Sequence, residues 1–174
     1  MIVLYIIIAL LAIVLITAVF KSDTYTIIRD ISISKPQATV FDFIKLIKNQ
    51  EHYNKWVMAD PNLRKTLTGT DGTVGFIYAW DSDNKQVGKG EQEITAIDGS
   101  NMDTEVRFIK PFEGLAHTSF KTEALSANET KVTWVMNGNK NYMAKLMHML
   151  LNLGKVLGND MQTSLNTLKT VLEK

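Results

Sequence analysis

Hydrophobic and polar positions divide the chain into three unlike stretches. Residues Ile2 to Phe20 form an apolar run that contains no charged side chain. From Tyr25 to Gly138 the apolar positions mostly alternate with polar ones, with one insert at helical spacing. From Lys140 to Leu172 apolar residues recur at three- and four-residue steps, with no Pro. These periods predict an apolar helix, then a run of strands holding a short helical insert, then a long terminal helix.

Within the middle stretch, Tyr25 to Ser34 reads as a strand with Ile27, Arg29, Ile31 and Ile33 on one face. Ser34-Lys35-Pro36 then opens a helix, with Ser34 or Lys35 at the cap and Pro36 in the first turn. Val40, Phe41, Ile44 and Ile47 form its apolar stripe. A second helical piece is expected over Gln50 to Trp56, and Asp60-Pro61-Asn62 reads as a loop. Strands follow over Leu63–Thr68, Val74–Trp80, Gln86–Ile97, Asp103–Phe108, Leu115–Leu125 and Thr130–Gly138. Turn residues or Pro111 separate them. Gly154 and Gly158 are candidate bends in the last helix. The order implies an α+β domain, a curved antiparallel sheet of six to seven strands around a long C-terminal helix.

The apolar run changes the picture next. Nineteen residues at about 1.5 Å each reach roughly 28 Å, close to the ~30 Å hydrocarbon core of a bilayer. No basic n-region precedes the run, and Thr17-Ala18-Val19-Phe20-Lys21 lacks a small-residue cleavage pattern. The reading is an uncleaved single-pass anchor over residues 1–21, with 22–174 as one domain. Lys21, Arg29 and Lys35 follow the run, which places that domain in the cytoplasm.

Composition then narrows the chemistry. Nineteen Lys and Arg against 18 Asp and Glu leave a net charge of +1, unlike a basic nucleic-acid binder. With no Cys, disulfides, thiolate catalysis and Cys-ligated metals are excluded. His52, His117 and His148 show no metal-ligand spacing, and Asp81-Ser82-Asp83 fails as a calcium loop because position twelve is Gln92. Neither a metal nor a cofactor is expected. Gly88 and Gly90 sit inside a strand pattern and read as a sheet bend or a close approach of the long helix. Glu91 and Glu93 share a strand face with Lys89 and read as solvent-facing.

Several segments together resemble the START/Bet v 1-like (SRPBCC) superfamily. They are I-S-I-S-K-P-Q-A-T-V-F-D-F-I at 31–44, Trp56 with Asp60-Pro61, G-T-V-G-F-I-Y-A-W at 72–80 and V-G-K-G-E-Q-E-I at 87–94. R-F-I-K-P-F at 107–112, K-V-T-W-V-M at 131–136 and L-N-T-L-K-T-V-L-E at 165–173 complete the set. More narrowly the chain resembles the polyketide cyclase/dehydrase-type branch common in bacteria. The resemblance implies a helix-grip fold and binding of a lipid, polyketide or other apolar molecule, and none of these motifs is catalytic.

On that expectation the inward-facing set becomes the candidate site. Phe76, Tyr78, Trp80, Phe108, Phe120, Trp134 and Met136 would come from the sheet, and Met143 and Met147 from the helix. Gln92 and Thr118, with Tyr78, would add polar groups, and Trp56 with the 57–62 loop would border the mouth. The same set would also fill a solid core. The leading reading is a membrane-tethered module holding an apolar small molecule or lipid. A cyclase- or dehydrase-type enzyme is one alternative, which an inward His117 would favour. A protein-interaction module with a closed core is the other.

Overall fold

The computed structural model describes residues 2–140, 142, 145, 146 and 151–174. Helix α1 (Ile2–Val19) leads into β1 (Thr24–Ile33), α2 (Gln37–Ile44), a 3-10 turn (Ile47–His52) and α3 (Lys55–Met58). Strands β2 (Arg64–Thr68), β3 (Ile77–Asp81), β4 (Lys89–Asp98), β5 (Asn101–Lys110), β6 (Gly114–Ser126) and β7 (Glu129–Asn139) follow, then α4 (Leu153–Leu172). The strands form one antiparallel sheet in the order β1-β7-β6-β5-β4-β3-β2. Register shifts at Lys89/Gly90, Ile94/Ala96 and Ala124/Ser126 mark bulges, which bend and twist a sheet locally. The α+β helix-grip architecture is thus the observed one.

Side-chain alternation buries one face of the sheet, and strand register sorts that face into layers about 7 Å apart. The outermost layer holds Trp80, Gly90 and Phe108. Next come Tyr78, Gln92, Val106 and Ala116, with Gly138 and Tyr25 across the sheet. Ile94, Thr104, Thr118, Met136 and Ile27 lie deeper, and Met102, Phe120, Trp134 and Arg29 deeper still. Helix α4 lies along β1. Its Lys169 Nζ donates to the Ser32 carbonyl at 2.6 Å, and Met161, Leu165 and Leu168 are fully buried.

Several expectations shift. Val74 is exposed and lies outside β3, because Gly75 takes φ +85° and the Phe76 amide turns back to the Thr73 carbonyl at 3.1 Å. Residues 82–88 form a turn in which the Asn84 carbonyl accepts from Val87 and Gly88, both at 2.9 Å, so β4 starts at Lys89. The cap of α2 is Pro36 itself. The expected Gln50–Trp56 helix splits in two, since the Asn54 side chain caps α3 by accepting from the Trp56 amide. Gly154 and Gly158 both lie inside the last helix, Leu153–Leu172. It begins after Asn152, which takes φ +48°, a conformation Asn tolerates better than most residues.

Helix α1 carries many exposed large apolar side chains, among them Ile2, Leu10, Ile16 and Val19. Among the described residues no helix is long and apolar enough to cross a membrane, so the expected span over Ile2 to Phe20 is not established by the structure.

A cavity between sheet, short helices and terminal helix

The inner face of the sheet does not meet α4 everywhere. A cavity of about 390 Å³ opens between the outer layers of the sheet, the Gln50–Val57 segment and the start of α4. It is mostly apolar. Trp80 and Phe108 meet edge to face at 6.3 Å near the opening. At the inner end Trp134 stacks on Phe120 at 4.8 Å and 22°, and Trp56 meets Trp134 at 5.9 Å and 72°. Trp56 is fixed from behind, because its Nε1 donates to Asp160 of α4 at 3.2 Å.

Two glycines make room for the rings at the opening. A Cβ at Gly90 would stand 2.6 Å from the Trp80 ring and 2.5 Å from the Arg107 carbonyl oxygen. One at Gly138 would stand 2.5 Å from the Tyr25 ring. At Gly88, φ is +67° and the Lys110 carbonyl oxygen would lie 2.0 Å from a Cβ. The Gly88-x-Gly90 pair therefore serves ring and backbone approach within the sheet, not an approach of the long helix.

A strip of neutral polar groups crosses the cavity wall. Asn54 Nδ2 donates to Gln50 Oε1 at 2.9 Å, and Gln50 Nε2 donates to Gln92 Oε1 at 3.1 Å. Gln92 Nε2 donates to Thr104 Oγ1 at 2.9 Å, and the Thr104 and Thr118 hydroxyls meet at 2.7 Å. All five residues are buried. Nearby, the Tyr78 hydroxyl donates to Glu51 at 3.3 Å, and Glu51 pairs with Lys65 at 2.8 Å. Burial, with the Glu51 charge behind it, pushes the Tyr78 phenol well above its ordinary range, so it stays protonated at neutral pH. Among the described lining residues there is no carboxylate or imidazole, and Lys110 stands at the rim.

Of the residues expected at the site, Trp56, Tyr78, Trp80, Gln92, Phe108, Thr118, Trp134 and Met136 line the cavity. Phe76 and Phe120 do not. They are about 1% exposed and pack into the core beyond it, because alternation gives the face of a residue but not its depth. Met143 and Met147 lie outside the described residues. His117 points outward, with a side chain 61% exposed and 3.8 Å from Glu105. Glu91 and Glu93 also face outward, where they and Glu105 surround Arg107. Gln50, Asn54, Tyr25, Leu153 and Leu157 line the cavity and were not anticipated. For Gln50 and Asn54 the available signal was two carboxamides four residues apart beside Trp56.

The opening has a fixed place. Antiparallel register gathers the α1–β1 junction, the 82–88 turn, the 111–113 loop and the start of α4 at one end of the sheet. Gln86, Val87, Pro111, Phe112 and Leu153 border the cavity there. The segment after β7 is tied to α1 at the same end. Tyr142 donates to the Leu15 carbonyl at 3.0 Å, and Lys145 forms an ion pair with Asp23.

No protein-family model matches the chain, and no curated protein matches it. Solved structures do. Norcoclaurine synthase from Thalictrum flavum, in complex with dopamine and hydroxybenzaldehyde, aligns with a TM-score of 0.62 at 8% identity, over 86% of each chain. Ara h 8.0201 gives 0.58 at 12% identity, over 86% of this chain and 97% of that one. A protein from Mesorhizobium loti gives 0.62 at 12% identity, over 85% and 96%. At such identities the likeness defines the fold, which is the Bet v 1-like helix-grip fold.

Proposed function

We propose that this chain binds an apolar small molecule, a lipid among the candidates, in the cavity between sheet and α4. The supporting observation is the cavity itself. Its volume of about 390 Å³ falls within the usual range for small-molecule sites, with aromatic walls and few polar groups. Burial of ligand surface would drive association at about 25 cal/mol per Å² before the costs of immobilisation. Tyr78 is protonated and tied to Glu51, which suits holding a ligand better than taking a proton from one.

The proposal includes a membrane seat for α1, with the helix-grip domain on the cytoplasmic side. The supporting features are the uncharged sequence of α1 and its junction at the cavity's open end. Lys21, Arg29 and Lys35 support the cytoplasmic side.

The test is native mass spectrometry of the full chain, followed by organic extraction of whatever copurifies. A stoichiometric apolar molecule is the expected result. A chain that is empty and takes up no member of a lipid panel overturns the binding reading. Alkaline extraction of membranes tests the seat separately, since release of the full chain into the supernatant overturns it.

A further inference from the structure

We propose that the ligand is uncharged and carries an oxygen acceptor, such as a ketone, ester or amide carbonyl, received by the carboxamides of Gln92 and Gln50. The proposal rests on the cavity being a ligand site and adds the chemistry of what fills it.

The argument is a count of donors. A carboxamide nitrogen carries two N–H groups. In the wall strip the nitrogens of Asn54, Gln50 and Gln92 each donate once, to Gln50, Gln92 and Thr104 in turn. Each therefore has a second N–H that no acceptor among the described residues takes. The three residues are 5%, 4% and 8% exposed, and all three line the cavity. Their oxygens are engaged already, by the Trp56 amide, by Asn54 and by Gln50. Buried N–H groups left unpaired are rarer than carbonyls that accept only once. The strip therefore presents an excess of donors toward the cavity and asks for an acceptor.

Charge is disfavoured at the same place. Among the described lining residues no cationic side chain stands beside the strip to neutralise a carboxylate, and an ionised group moved into such a site loses far more solvation than a neutral one. Lys110 lies at the opposite end of the cavity, in the strand layer beside Lys89. A fatty-acid anion held by Lys110 would lay its alkyl tail against the unpaired donors. A neutral carbonyl compound inserted head first satisfies the donors, and its tail meets Trp80 and Phe108.

The experiment uses the full chain in lipid nanodiscs, with empty nanodiscs as the blank. Three probes of equal chain length are titrated: 2-undecanone, undecane and undecanoate. Binding is read from the side-chain amide signals in nitrogen–proton correlation spectra. The ketone is expected to bind about tenfold more tightly than the alkane, one well-made buried hydrogen bond, and to move the Gln92 and Gln50 signals. Gln92→Leu should remove most of that preference while alkane binding persists. Should that variant not fold, Gln50→Met and the wild-type comparison decide the matter. Equal binding of ketone and alkane overturns the donor argument and leaves the cavity reading intact. Tighter binding of undecanoate overturns the neutrality argument. Binding of none of the three overturns the cavity reading as well.

Discussion

Trp134 offers a quantitative test of how the inner end of the cavity is built. Its side chain is 3% exposed and stacked on Phe120, and its Nε1 is buried with no hydrogen-bond partner among the described residues. Replacement by Ala removes the whole ring and leaves a void, a change that costs about 3–5 kcal/mol in protein cores. Replacement by Phe keeps a six-membered ring for the stack, a contact worth about 0.5–1.5 kcal/mol. It gives up the five-membered ring, about 1 kcal/mol of apolar burial at roughly 25 cal/mol per Å². It also removes the unpaired N–H, whose burial is unfavourable by about 1–3 kcal/mol. The two Phe terms nearly cancel. Urea unfolding followed by far-ultraviolet circular dichroism should therefore place Trp134→Phe within about 1 kcal/mol of the parent, with Trp134→Ala at least about 3 kcal/mol below it. A Phe variant as unstable as the Ala variant would refute the reasoning, since it would mean that the indole N–H is well bonded.

Three further outcomes are expected. Gly90→Ala sets a Cβ against the Arg107 carbonyl and the Trp80 ring, and overpacking of this kind should lower stability by about 1–3 kcal/mol in the same urea assay. Gly154→Ala, in the first turn of α4 with no described residue within 4 Å of the added Cβ, should raise stability by about 0.4–1 kcal/mol, seen as a higher melting temperature. The Ser34 backbone N–H donates to Glu173 at 2.5 Å and holds that carboxyl below its usual 4.5, so the contact stabilises the fold above that value and is lost as pH falls through the lowered one. Melting temperature measured from pH 6 to pH 3 should fall less steeply for Glu173→Gln than for the parent.

The succession of strands along the chain and most of their inward faces were legible in the sequence because both follow from alternation, whereas the sheet order that sets β7 beside β1 was not. The paired faces of β1 and β7, Ile27 with Met136 and Ile31 with Val132, are visible as period-two runs on either side of the chain. Depth was not legible. Phe76, Phe120 and Trp134 share the inward face with Tyr78 and Trp80, yet their distance from the opening depends on register between strands far apart in sequence. Gln50 and Asn54 escaped for a different reason. They sit in a 3-10 turn and at a helix cap, where no regular period marks which side chains turn inward. The start of α4 was hidden likewise, because Asn152 breaks the helix through its backbone conformation while the apolar spacing runs on past it.

The aromatic rings at the opening rest on residues without side chains, Trp80 over Gly90 and Tyr25 over Gly138. Bore and stability are thereby joined at two codons. A lineage under selection for a slimmer or wider guest cannot adjust these positions by small steps, since the first added carbon already displaces a ring. The easier evolutionary route runs through the 111–113 loop and Val87, where side chains border the entrance outside the strand pairing. Divergence in guest preference among descendants of this chain should therefore collect in those loops, with the two glycines held constant.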